Sequence, residues 1–293
     1  MVVALAAALL TGCGPDFSGL HLRIAGGNGG GVYDNLAQVL ATAWAGELGI
    51  DRPQVLQTGG TPDNLSQIRA GKADVAFVAA DVAAAQKDGL AALARIHDDY
   101  LHVVVRDDSP INSVDQLAGK TVSIGARASG VEYIAKELLT IAGLNVDRRN
   151  LGLQDSLVAL VDGQIDAFFW SGGLPTPLIT RYTAKTSLRL LDLTKLMPQM
   201  QTLSPVYSTA TIPASVYGRR EPVTTLVVPN FLVVPTSMPD DVAEALTRGL
   251  FDARQQLAQA NQAALSIDVH PGIETQPIPL HPGALRYFRA EKS

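Results

Sequence analysis

The chain has 293 residues, 47% of them apolar and 17% charged, with a formal net charge of −5. That much apolar material fills one large domain or two ordinary lobes, which excludes a disordered chain. The longest basic runs are the pairs Arg148-Arg149 and Arg219-Arg220, so the clustered Lys and Arg that displace counterions from nucleic acid are missing.

The chain opens on "MVVALAAALLTG", followed by Cys13, its only cysteine. A helix needs about 20 apolar residues to cross a bilayer, so this stretch is too short to span one. Leu10-Thr11-Gly12-Cys13 resembles the bacterial lipobox, whose cysteine thiol takes a diacylglycerol. Residues 1–13 are then a lipoprotein signal peptide with the acylated Cys13, and 14–21 a tether. An ordinary secretory peptide or a buried N-terminal helix is the alternative. No Lys or Arg precedes the apolar segment, which places the expected start codon upstream. Several acyl chains would hold the protein on the outer face of the cell membrane. With no second cysteine, no disulfide is expected there.

"LRIA" (22–25) reads as a strand, "GGNGGG" (26–31) as a glycine loop, and Tyr33 to Leu48 as a helix with Leu36, Val39, Leu40, Ala43 and Trp44 on one face. "DNLSQIRAGKADVAFVAAD" adds a helix, a stop at Gly71 and a buried strand. The same grammar returns in "TVSIGARASGVEYIAKELLTIAGL" and "DSLVALVDGQIDAFFWSGG". Leu65 matches Leu157, Gly71 matches Gly163, Asp74 matches Asp166 and Phe77 matches Phe169 without gaps, and Gly31-Val32 matches Gly130-Val131. The spacing predicts two α/β lobes. Gly71 and Gly163 end helices in the left-handed conformation that glycine tolerates, and Asp74 and Asp166 are read as turn residues.

"LHVVVRDDSPINSVDQLAGKTVSIG" reads as a strand leaving the first lobe, a loop with a small helix, and a strand opening the second. "TTLVVPNFLVVPTSMPDDVAEALTRGLFDARQQLAQA" returns by an apolar strand and one long helix from about Asp240 to Ala260. The two crossing strands form a hinge. Lobe 1 is expected to comprise 22–105 and 227–293, and lobe 2 106–226. Loops at the carboxyl ends of the strands then face one interlobe cleft.

Those loops, "GGNGGGVY", "QTGGTPDN", "ARASGV" and "FFWSGGLPTP", offer backbone N–H groups and hydroxyls, which suit a small anion. No placement of the glycines at 26, 27, 29, 30 and 31 completes G-x-G-x-x-G, and Val32-Tyr33 stands where a Walker A loop needs Lys-Ser/Thr. Glycines that merely turn the chain are the plainer alternative. Ser129 and Ser171 precede glycine without a G-x-S-x-G elbow, and no H-E-x-x-H is present. The histidines at 21, 97, 102, 270 and 281 are scattered. No catalytic group, metal ligand or cofactor is therefore expected. Arg127 is the one cation in these loops placed to meet a ligand carboxylate, with solvent exposure as the alternative.

"LRIAGGNGGGVYDNLAQVLA", "TGGTPDNLSQIRAGKADVAFVAAD", "VSIGARASGVEYIAKELLTIAGL", "VDGQIDAFFWSGGLPTP", "TIPASVYG" and "HPGALRYF" are similar to successive blocks of the TAXI family, from about residue 22 to 288. These are extracytoplasmic solute-binding subunits of tripartite ATP-independent periplasmic (TRAP) transporters. The resemblance implies a type II periplasmic-binding-protein fold that closes on a small organic anion, an amino acid or a dicarboxylate such as glutamate. By position it implies ligand contacts from Gly27, Asn28, Gly29, Gly30, Gly31 and Tyr33, and from Thr58, Gly59, Gly60, Thr61 and Asn64. Further contacts are implied from Ala79 and Asp81, from Ser129, Gly130 and Val131, from Trp170, Ser171, Gly172 and Gly173, and from Tyr207. Arg127-Ala128 departs from the small residues or proline that commonly precede the Ser-Gly pair, which leaves the solute open. The expected protein is a monomeric, membrane-tethered receptor that delivers its solute to a TRAP-type permease. The alternatives are a lipoprotein accessory read by a receptor kinase, and an enzyme on the same fold, which would need a nucleophile or acid–base pair in the cleft.

Overall fold

The computed structural model describes residues 16–218 and 221–291; the lipobox with Cys13 lies outside them, as do Arg219 and Arg220. The first unit runs β1 (Arg23–Ala25), α1 (Val32–Leu48), β2 (Gln54–Leu56), α2 (Thr61–Arg69), β3 (Val75–Ala79) and α3 (Ala80–Ala84). Strand β4 (Leu90–Arg106) leads to the second unit: β5 (Thr121–Ser123), α4 (Gly130–Ile141), β6 (Asp147–Arg149), α5 (Leu153–Val161) and β7 (Ala167–Gly172). After α6 (Pro177–Thr183), β8 (Leu188–Leu190), α7 (Met197–Leu203) and β9 (Ser208–Ile212), β10 (Val223–Pro235) returns. The chain then finishes with α8 (Asp240–Asp252), α9 (Arg254–Ala260), α10 (Val269–Gly272) and α11 (Pro282–Ala290).

The sheet order is β2-β1-β3-β10-β4-β7-β5-β6, with β8 on β4 and β9 on β10. β1 pairs in parallel with β2 and β3, and β5 in parallel with β6 and β7, so the repeated sequence unit is a repeated parallel unit. Between them β4 and β10 run antiparallel. β4 has 17 residues, enough at ~3.3 Å each to serve both lobes. It changes partner at Tyr100, which pairs with Val227 of β10 and with Gly172 of β7. Those are the two crossings expected of the hinge.

Each unit is held by the same devices. The Asp74 carboxylate accepts from the Arg23 backbone N–H and from its guanidinium, all at 2.9–3.0 Å. Asp166 accepts from the Thr121 N–H at 2.9 Å. Each aspartate therefore fixes the start of the neighbouring parallel strand. Gly71 and Gly163 have φ of 63° and 71°, the left-handed turn that ends α2 and α5.

Successive strand residues go to opposite faces. Phe77 joins Leu36, Leu40 and Trp44 of α1 with Leu246 and Phe288 on one face of the first lobe, whereas Ala76 and Val78 join Leu65 of α2 on the other. In the second lobe Phe168 packs on Leu157 and Leu160, and Phe169 faces the cluster of Ile134 and Leu138. The helix expected over 240–260 is two: at Ala253 (φ −83°, ψ 2°) the backbone tightens and turns, and α9 then buries Leu257 in the α1 core. Among the described residues, no helix is long and apolar enough to cross a membrane.

Candidate ligand cleft

Two glycine loops of the first lobe are tied together before either reaches the cleft. The Thr58 hydroxyl accepts from the Gly27 N–H at 3.0 Å and from the Gly60 N–H at 3.4 Å, and it donates to Asn64, whose amide N–H bonds the Phe77 carbonyl at 2.7 Å. Thr58 and Asn64 are buried and position the loops. Gly60, at φ 106° and ψ −158°, stands at the head of α2, a backbone conformation that only glycine adopts readily. The Thr61 hydroxyl accepts from the Ala79 N–H at 2.9 Å and lies 3.4 Å from the Tyr33 phenol, which donates to Asn230 of β10. In the second lobe Ser129 caps α4, accepting from the Glu132 N–H at 3.1 Å.

These loops close on an interlobe cavity of about 710 Å³, counting the space open to solvent. Its first-lobe wall is Gly27, Asn28, Gly31, Val32, Tyr33, Gly59, Gly60, Thr61, Ala79 and Asp81; its second-lobe wall is Ser129, Gly130, Val131, Trp170, Ser171 and Gly172; Asp99 and Val228 of the hinge strands complete it. The N-termini of α1, α2 and α4 point their unbonded N–H groups toward this region, each like roughly half a positive charge. No Lys, Arg or His is in the lining, but Asp81 and Asp99 are. Among the described residues no group of three metal-ligating side chains occurs.

The remaining expected contacts lie elsewhere. Gly29, Gly30 and Arg127 are exposed and outside the lining. Gly30 donates its N–H to Asp34 at 2.8 Å in a turn of φ 75°. Gly173 lies behind the cavity, where a Cβ would come 2.5 Å from the Ala263 Cβ and 3.7 Å from Val32 of the first lobe. Tyr207 crosses from the second lobe to bond Asp81 at 3.2 Å and is not in the lining. Val32, Asp99 and Val228 are lining residues that sequence reasoning missed. The signal for Asp99 was present, since Asp98-Asp99 sets two adjacent carboxyls between the apolar runs "LAALA" and "VVV".

Burial sets the ionisation of the site. It pushes the Asp81 carboxyl up to about 7, against the Val82 N–H and Tyr207 phenol that favour its charge. The same loss of water raises the Tyr33 and Tyr207 phenols well above their ordinary values, with the nearby aspartates adding to it. Asp99 lies 3.2 Å from His97, whose side chain is wholly buried. The cavity thus has hydrogen-bond donors on its helix ends, one carboxyl in its first-lobe wall and one at its hinge, and the aromatic faces of Tyr33 and Trp170.

Solved structures share this architecture. The chain is similar to the ligand-binding core of GluR0 in complex with L-glutamate (TM-score 0.55, 14% identity, covering 84% of this chain and 99% of that one). It is similar to an ancestral arginine-binding protein bound to arginine (0.52, 14%, 84% and 98%). It is also similar to the periplasmic binding protein BugD (0.54, 14%, 93% and 96%). The fold is that of type II periplasmic binding proteins, two α/β lobes joined by crossing strands. The profile of the NMT1-like family matches residues 24–291, nearly the whole chain, and the chain belongs to that family.

Proposed function

We propose that the chain is a solute-binding receptor, not an enzyme, and that its solute is a zwitterionic amino acid. The observation that carries this reading is the charge layout of the cavity: three helix N-termini, two carboxyls and no cation in the lining. A ligand carboxylate is stabilised at a helix N-terminus by about 0.3–2 kcal/mol. Micromolar affinity needs about 8 kcal/mol, so all three termini and the closing of the lobes have to act together. Asp99 suits an ammonium group and the Asp81 carboxyl offers it a further oxygen acceptor; the far carboxylate of a plain dicarboxylate would meet Asp99 with no cation in the lining to offset the repulsion. The L-glutamate and arginine bound by two proteins of the same fold agree with this class.

The pairing of Tyr100 with both Val227 and Gly172 supports a hinge at Asp98–Tyr100 and Val227–Asn230, and the six sequence blocks support a TRAP-type permease as the partner that reads the closed form. A sensor kinase gene beside this one, in place of a permease, would reassign that output. The lipobox supports an anchor at Cys13: with a complete signal peptide, Cys13→Ser is expected to move the protein from the membrane fraction to the soluble one, and unchanged membrane association would remove the anchor.

Calorimetry tests the solute class. An amino acid is expected to bind one-to-one and be recovered intact after long incubation, while its deaminated analogue, glutarate against glutamate for example, binds at least tenfold more weakly. Equal binding of the two, or conversion of the bound compound, overturns the reading.

A further inference from the structure

We propose that the cleft closes with the uptake of one proton, held in a hydrogen-bonded chain that joins Asp81 of the first lobe to Tyr207 and Glu137 of the second. The inference rests on the closing-receptor reading and adds a second species, the proton, to what is captured.

The contacts of this hydrogen-bonded chain outnumber the hydrogens available to make them. The Tyr207 phenol oxygen lies 3.2 Å from Asp81 Oδ2 and is also hydrogen-bonded to Glu137 Oε2. A phenol has one hydrogen to donate, and an ionised carboxylate has none. With both carboxyls charged, one of the two contacts would set an anion against an oxygen lone pair in a site shielded from water, which is costly. One added proton satisfies the chain: a carboxyl O–H donates to the phenol oxygen, and the phenol O–H donates to the other carboxylate. No bond other than hydrogen bonds changes, and the proton comes from solvent.

The surroundings favour Asp81 as its holder. Asp81 is 5% exposed; its Oδ1 accepts only the Val82 N–H, at 2.8 Å. The charged groups that act on it are Glu137 of α4 and Asp99 of β4, both acidic. Of the other titratable groups on the elements around it, Tyr33 of α1 bonds Asn230, Arg69 of α2 is held by Gln86 and Asp63 of α2 accepts from the Gly59 N–H. On α4, Lys136 pairs with Glu132 at 2.8 Å, and the Tyr133 phenol is raised to about 12 by burial and by Glu137. β3 and β10 bring no ionisable side chain.

The sign follows from the separation of the lobes. When they part, Asp81 meets water and titrates near the ordinary ~3.9; when they close, burial moves it to about 7. A group whose value is raised in the closed form stabilises that form fully below the open-form value. The contribution is lost as pH rises through the closed-form value. Affinity for the solute is therefore highest in acid. It weakens by up to about tenfold per pH unit between about 5 and 7, and is level above about 8.

The test compares the protein without solute, free to open, with the protein held closed by saturating L-glutamate. Carbon-13 NMR of the side-chain carboxyls should show Asp81 titrating near neutrality with L-glutamate bound and lower without it. In Glu137→Gln the carboxamide N–H can donate to the phenol, which then donates to ionised Asp81; Asp81 should titrate at least one pH unit lower. Calorimetry with L-glutamate as probe, in two buffers of different ionisation enthalpy at pH 6, should show close to one proton taken up by the native protein and little by Glu137→Gln. Ordinary titration of Asp81 in the native protein saturated with L-glutamate, or the same titration in both saturated proteins, overturns the proposal. L-glutamate binding with equal proton uptake in both also overturns it and leaves the receptor reading standing. Proton uptake with glutarate that is close to one in the native protein and small in Glu137→Gln, where no amino acid binds, supports the proton chain and removes the solute class instead.

Discussion

Trp170 lies in β7 with its indole N–H donating to the Thr176 hydroxyl at 3.0 Å. Its ring lies against Gly172, where a Cβ would come 2.6 Å from the indole nitrogen, and it forms part of the cavity wall. Trp44 is fully buried and donates to the Leu246 carbonyl at 3.1 Å. A solute in the cavity alters the solvation of the first ring and not of the second. Ligand addition is expected to change intrinsic fluorescence; Trp44→Phe should keep that change and Trp170→Phe should largely abolish it. Phe retains most of the apolar contact in both positions, so both variants should fold. A response that survives Trp170→Phe and vanishes in Trp44→Phe would place the solute elsewhere. The glycines divide in the same way by position: Gly60 lines the cavity, whereas Gly30 turns the chain at its exposed rim.

At the scale of elements, the features legible in the sequence are local ones. Strand, glycine loop and helix follow from apolar periodicity, and the stops at Gly71 and Gly163 follow from backbone sterics. The matched Asp74 and Asp166 do sit at turns, but their partners, the N–H groups of Arg23 and Thr121, lie about 50 residues away in sequence, which no local pattern shows. β4 was legible only in its second half, because "LAALARIH" carries no alternation once both faces are buried. β8 and β9 have three and five residues and are strands only because β4 and β10 offer them an edge. The cleft loops were readable as donors from their glycine and hydroxyl content. Arg127 was readable as a cation, but it is exposed, next to Ala128 at φ 55°, and that turn has no sequence signature. Tyr207 reaches Asp81 through the crossing of the lobes, which is tertiary information throughout.

The whole molecule works by the fit of one lobe on the other, and one contact isolates that fit. Across the cleft Gly59 faces the Ala128 carbonyl, and Gly173 faces Ala263. The Gly173 loop cannot give way easily: its carbonyl accepts from the Thr176 hydroxyl at 2.8 Å, and the Thr176 N–H donates to the Tyr217 phenol at 2.7 Å. A methyl at 173 would stand 2.5 Å from the Ala263 Cβ, against the ~3.5–4.0 Å that two carbons prefer, so the lobes would have to part by roughly 1 Å. Gly173 is outside the left-handed region, so alanine there adds the contact and no backbone strain. Gly173→Ala is therefore expected to leave the melting temperature of the ligand-free protein nearly unchanged, since each core keeps its packing, and to weaken solute binding about tenfold or more, ~1.4 kcal/mol. Solute at 100 times its dissociation constant should stabilise the native protein by about 2.7 kcal/mol, and the same concentration should stabilise the variant by correspondingly less. Differential scanning calorimetry with and without solute measures both. A variant that melts lower and still gains the full increment would make Gly173 a folding residue, and the closed contact at Ala263 would then have no part in holding the solute.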